Sequence, residues 1–166
     1  MFRFTNRQGN AMKPLTCVRA IVLGLVAITT APVLADGDRS VTAAATYLLP
    51  AGAELGPVAL HGLEIGTGVF IEADGSASGT LHAVLHGSAL GFPREITLEG
   101  KASEGSVGFD GHITFSGTAS LDLGDGAPPL PSVAFSVTAG AEDVVLVIDS
   151  TPLPAAGLSA GAVTIE

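Results

Sequence analysis

Between His112 and Leu123 the chain alternates without a break. Ile113, Phe115, Gly117, Ala119, Leu121 and Leu123 fall on one side, and His112, Thr114, Ser116, Thr118, Ser120 and Asp122 on the other. A period of two is the pattern of a β-strand with one face in a core and one in water, because successive side chains point to opposite faces. A helix would spread the same apolar residues around its whole circumference. The pattern recurs from Glu95 to Ala102, with Ile96, Leu98 and Ala102 inward and Glu95, Thr97, Glu99 and Lys101 outward. It recurs again in Val133, Phe135, Val137 and Ala139. Residues 41–49, VTAAATYLL, read as the first strand. The run DVVLVID, residues 143–149, is apolar at five consecutive positions and predicts a strand covered on both faces.

Turn signals separate these runs. Asp74-Gly75, Asp110-Gly111 and Asp125-Gly126 supply the positive φ angles that tight reversals demand. Further breaks are expected at residues 50–52, 66–68, 87 and 91–93, where Gly and Pro gather. Short connections imply antiparallel neighbours, since parallel pairing needs long crossovers. A weak repeat begins at Asp74 and again at Asp110: Asp-Gly, a strand containing Ser-Gly-Thr, a loop with proline, and a second strand. Two copies are too few for a solenoid, which needs roughly three, and suggest a doubled hairpin within one sheet. The fold expected is all-β: a single antiparallel β-sandwich or flattened β-barrel of about nine or ten strands over residues 36–166. Its inward set is rich in Ala, Gly and Val, which suits a thin layer or narrow barrel better than a roomy cavity.

The first 35 residues stand outside this pattern. An apolar run at residues 21–35 follows Lys13 and Arg19 and ends Val33-Leu34-Ala35, the signature of an export signal cut between Ala35 and Asp36. Met12 is a plausible internal start that would give a leader of ordinary length. An uncleaved anchor would need roughly 20 apolar residues, and this run is shorter and holds Thr29, Thr30 and Pro32. Cys17 precedes the run instead of closing it, so it is misplaced for lipidation and leaves with the leader. The expected location is secreted or periplasmic, with no membrane span in the mature chain.

Removing the leader sharpens the composition. No Cys, Trp, Met, Asn or Gln remains, so no disulfide can help the fold. Arg39, Arg94 and Lys101 stand against all 16 carboxylates, a net charge of −13 with histidine neutral. That charge repels phosphate backbones, which excludes nucleic acid as a partner, and it favours staying in solution.

Candidate chemistry is sparse. Asp122 and Asp125 lack the dense Asp/Asn alternation and closing Glu of a calcium loop and read as turn residues, though a divalent ion would be sought there first. His82 and His86 share a strand face at a separation of roughly 13 Å, too far for one zinc ion. With His61 and His112 they read as solvated sheet histidines. Gly157-Leu158-Ser159-Ala160-Gly161 matches a nucleophile pattern, but that motif needs a strand-to-helix elbow followed by a histidine, and none follows. A glycosidase-like carboxylate pair would lack the aromatic and amide platforms of a sugar cleft. A membrane barrel would need two aromatic girdles, which the one Tyr and five Phe of residues 36–166 cannot form. No catalytic, metal or cofactor residues are therefore assigned. The first expectation is an exported, acidic, non-catalytic structural or interaction domain that meets an unidentified protein or surface partner. The alternatives are a small carrier, a barrel of lipocalin kind with an apolar ligand, and a small hydrolase whose site assembles only in three dimensions.

Overall fold

Alternation sets the architecture. In a computed structural model, which describes residues 37–166, ten strands follow one another with no helix among the described residues. They are β1 (Arg39–Leu48), β2 (Glu54–Leu55), β3 (Val58–Ile71), β4 (Ser76–Ala89), β5 (Phe92–Val107), β6 (Ile113–Asp122), β7 (Leu130–Ala139), β8 (Asp143–Ile148), β9 (Thr151–Pro152) and β10 (Ala156–Ile165). The leader, its cleavage point and Cys17 lie outside the described residues.

Every pairing is antiparallel, and each long strand pairs the next long strand in the chain. The ring closes because β1 pairs β3 on one edge, from Arg39↔Ile71 to Leu48↔Gly62, and β10 on the other, from Val41↔Ile165 to Leu48↔Gly157. β10 returns to β8 at Ala156↔Val144 and Gly157↔Asp143, and β9 continues that seam at Val147↔Pro152. The result is an eight-stranded up-and-down barrel, one of the two architectures expected, with β2 and β9 as short extensions. Closure removes most of the sheet edges that an open sandwich would leave.

The inward rows fill the middle of the barrel. Leu81, Ala83, Leu85, Ile96, Leu98, Phe115, Val137 and Leu146 are buried, each large aliphatic or aromatic one contributing about 1.5–3 kcal/mol by leaving water. Phe115 and Phe135 meet edge to face, with ring centroids 6.3 Å apart, a geometry that adds to their area burial. Gly100 makes room for this pair, since a Cβ there would sit 2.5 Å from the Phe135 ring. Outside, β4 and β5 present His82, His86, Glu95, Glu99 and Lys101. Apolar inside and polar outside is the reverse of a lipid-embedded barrel. No helix among the described residues is long and apolar enough to cross a membrane.

Three sequence expectations need correction. β3 runs straight through Gly66 and Gly68, and β4 through Gly87, so none of these is a break. Pairing on both edges, by β1 and β4 for β3 and by β3 and β5 for β4, overrides the weak strand preference of glycine. β8 is not covered on both faces: Val144, Leu146 and Ile148 are buried, while Val145 and Val147 are only half-buried. The 151–153 segment pairs the edge of β8 by backbone hydrogen bonds, at Val147↔Pro152 and from the Leu153 amide to the Leu146 carbonyl, and not as a layer over its outer face.

Candidate functional site

In an up-and-down barrel the connections alternate between the two ends. Four of them gather at one end: residues 49–57, 90–91, 123–129 and 149–155. Together they surround an open cup of about 800 Å³. Val58, Leu121, Val133 and Ile148, the last inward residues of their strands, form its floor, and Leu55, Leu123 and Leu130 its walls. The rim is apolar as well. Leu90 is 98% exposed and Phe92, at the same end, 71% exposed, whereas large apolar side chains usually find cover.

The backbone is unusual here. Leu90, Ser132 and Asp149 are the non-glycine residues with positive φ among the described residues, at 52°, 57° and 56°, and all three line the cup. Leu90 and Gly91 make the two-residue turn between β4 and β5, with both φ positive. Asn or Gly is favoured at the first of these positions. A leucine there costs about 1 kcal/mol or more. Such outliers concentrate where function, not stability, has chosen the residue.

Three ionisable side chains enter the lining: Arg94, Asp125 and Asp149. Arg94 belongs to the inward row of β5, two residues before Ile96, at the level where the barrel opens. Its Nη1 donates to the Gly124 carbonyl at 2.5 Å. No carboxylate oxygen of the described residues lies within 4 Å of its guanidinium.

The residues singled out from sequence lie elsewhere or act as turn builders. Asp122 and Asp125 accept the amides of Gly124 and Ala127, each at 2.9 Å. Asp74 and Asp110 do the same for Ser76 and His112, and these backbone donors hold both carboxyls below the usual aspartate range. His82 faces Glu99 at 3.6 Å on the outer wall, and His86 lies between Glu64 at 3.1 Å and Glu95 at 3.6 Å. At the end opposite the cup, His112 Nε2 shares a hydrogen bond with Asp143 at the start of β8, at 3.3 Å, while its buried Nδ1 lies 3.1 Å from Asp110 without making a hydrogen bond. His61 is exposed on β3. Each histidine thus has its own surroundings, and no group of three or more His, Cys, Asp or Glu side chains among the described residues is placed to hold a metal ion. Ser159 sits in mid-strand in β10, with no helix after it.

Sequence reading missed the cup, and with it Leu90 and Arg94. Both had signals: Leu-Gly stands where Asn-Gly is expected, and Arg94 has the parity of Ile96. The small inward residues predicted a filled interior, which holds for the middle of the barrel but not for its mouth. The chain matches no protein-family description, no curated protein and no solved structure.

Proposed function

We propose that this chain is an exported, non-catalytic binding protein whose cup takes a small apolar ligand. The observation that carries the reading is the cup itself: an apolar hollow of about 800 Å³, a volume typical of sites for small molecules, left open by a barrel otherwise packed tight. Its strained rim leucine supports the same reading. The carrier, the second expectation from sequence, thereby moves ahead of the general interaction domain. The mostly apolar lining suits binding by burial of apolar surface.

An apolar fluorescent probe such as N-phenyl-1-naphthylamine tests it. Saturable binding at one site per chain, lost when Ala89→Trp fills the cup, supports the reading. Absence of binding, or binding untouched by that substitution, rejects it. For export, the mass of the chain recovered outside the cytoplasm should correspond to a first residue of Asp36; a chain retaining residues 1–35 would contradict cleavage.

One observation favours contact with a second copy as a further role. From Ser159 to Ile165, β10 pairs only β1 among the described residues, which leaves its other edge open. Residues 40–53 and 150–165 contain no Asp, Glu, Lys, Arg or His. In so acidic a chain an uncharged wall that also carries an open edge lets two copies approach without charge repulsion, by edge pairing. Light scattering should then give a mass that rises with concentration and falls to the monomer in Ala162→Lys. A monomer at every concentration would oppose this role.

A further inference from the structure

We propose that Arg94 anchors the oxoanion head of an amphiphilic ligand whose acyl chain fills the cup; the inference rests on the cup being a ligand site and adds the class of ligand. Arg94 is the cation of the lining, carried inward by the row that also holds Ile96 and Leu98. Guanidinium presents five N–H donors in a planar fork matched to carboxylate or phosphate. One nitrogen is engaged by the Gly124 carbonyl, which fixes the side chain across the mouth. No carboxylate of the described residues comes within 4 Å to neutralise it. A half-buried charge beside apolar walls is costly without a counterion, and the carboxylates of the described residues, though abundant, stand no closer than 4 Å.

Two groups act against an anion. Asp125 and Asp149 also line the cup. Asp125 turns one oxygen to the Ala127 amide at 2.9 Å, while the exposed Asp149 faces solvent. Salt screens their repulsion only beyond about 8 Å, so both lower the affinity for an anion, whereas a two-point contact with the fork is direct and holds the head against them. Free fatty acids and lysophospholipids share the chemistry of one chain and one oxoanion.

Affinities of the chain for dodecanoate, dodecyl phosphate, dodecylphosphocholine and dodecanol, each competed against the apolar probe, test the assignment. Dodecanoate should bind at least about tenfold more tightly than dodecanol, a ratio within reach of a charge-assisted hydrogen bond. Arg94→Met should erase that preference, bringing the ratio of dodecanoate to dodecanol affinity to about one. Arg94→Lys should keep part of the ratio, and Asp149→Asn should raise it. Dodecanoate ahead of dodecylphosphocholine marks a fatty acid as the source, and the opposite order a lysophospholipid. Equal binding of dodecanoate and dodecanol by the unaltered chain, or an Arg94→Met loss common to both, overturns the role of Arg94 and leaves the cup reading standing. If none of the four binds, the cup reading falls too.

Discussion

Leu90 sets stability against function at a single position. Its φ of 52° and near-complete exposure both disfavour leucine, so replacing it should help the fold. Leu90→Asn suits the turn and should stabilise the chain by about 1 kcal/mol, raising the melting temperature by roughly 2–5 °C. The same change removes an apolar rim side chain and should weaken binding of the apolar probe. A variant that melts lower would show that leucine does not strain the turn, and one that binds the probe as well as before would show that the Leu90 side chain is no part of the site. Arg94 was legible in principle: the alternation that turns Ile96 and Leu98 inward extends two residues back. What sequence could not supply is the level at which the barrel opens, which decides whether an inward arginine is buried at great cost or sits at a mouth.

At the scale of strands, the repeated Ser-Gly-Thr of β4 and β6 has a physical cause. A Cβ at Gly79 would collide with the Gly68 carbonyl, and one at Gly117 with the Lys101 carbonyl. Both glycines sit beside register shifts, Gly79 where β4 pairs β5 and Gly117 where β5 pairs β6, and such bulges bend and twist a strand. Curvature of this kind lets the sheet close. Gly117→Ala drives its Cβ into the Lys101 backbone carbonyl and should cost about 1–3 kcal/mol or more. Gly68→Ala, with open space around its Cβ and no positive φ, should be neutral or slightly stabilising. Urea unfolding of the two variants checks the contrast; equal midpoints would show that close approach is not what selects glycine. The strands themselves were readable because a period of two needs no knowledge of the neighbour. The glycines of β3 and β4 misled because their role depends on the strand beside them, which local pattern does not contain.

For the whole molecule, sequence left closure as one of two alternatives and hid the cup. Both depend on β1 meeting β3 and β10, and on four loops from distant parts of the chain arriving at one end. No local periodicity encodes those meetings. Titration, by contrast, follows from local geometry. Asp74 and Asp110 are held below their ordinary range by backbone amides, so each adds stability that is fully present above about pH 4, the unfolded value, and is lost as pH falls through the folded value. Asp74→Ala should therefore flatten the acid side of the stability curve. The alkaline side belongs to Tyr47. Its ring is buried, and burial, helped by the negative charge of Asp143, raises its hydroxyl above the ordinary value of 10.0. A folded state that resists ionisation holds its proton longer than the unfolded chain does, so the protein loses stability as pH rises past about 10. Tyr47→Phe has no proton to lose and keeps the ring in the core. Its urea midpoint should hold level between pH 9 and 11 while that of the unaltered chain falls, and parallel decline in both proteins would assign the alkaline limb to the general repulsion of an acidic chain instead.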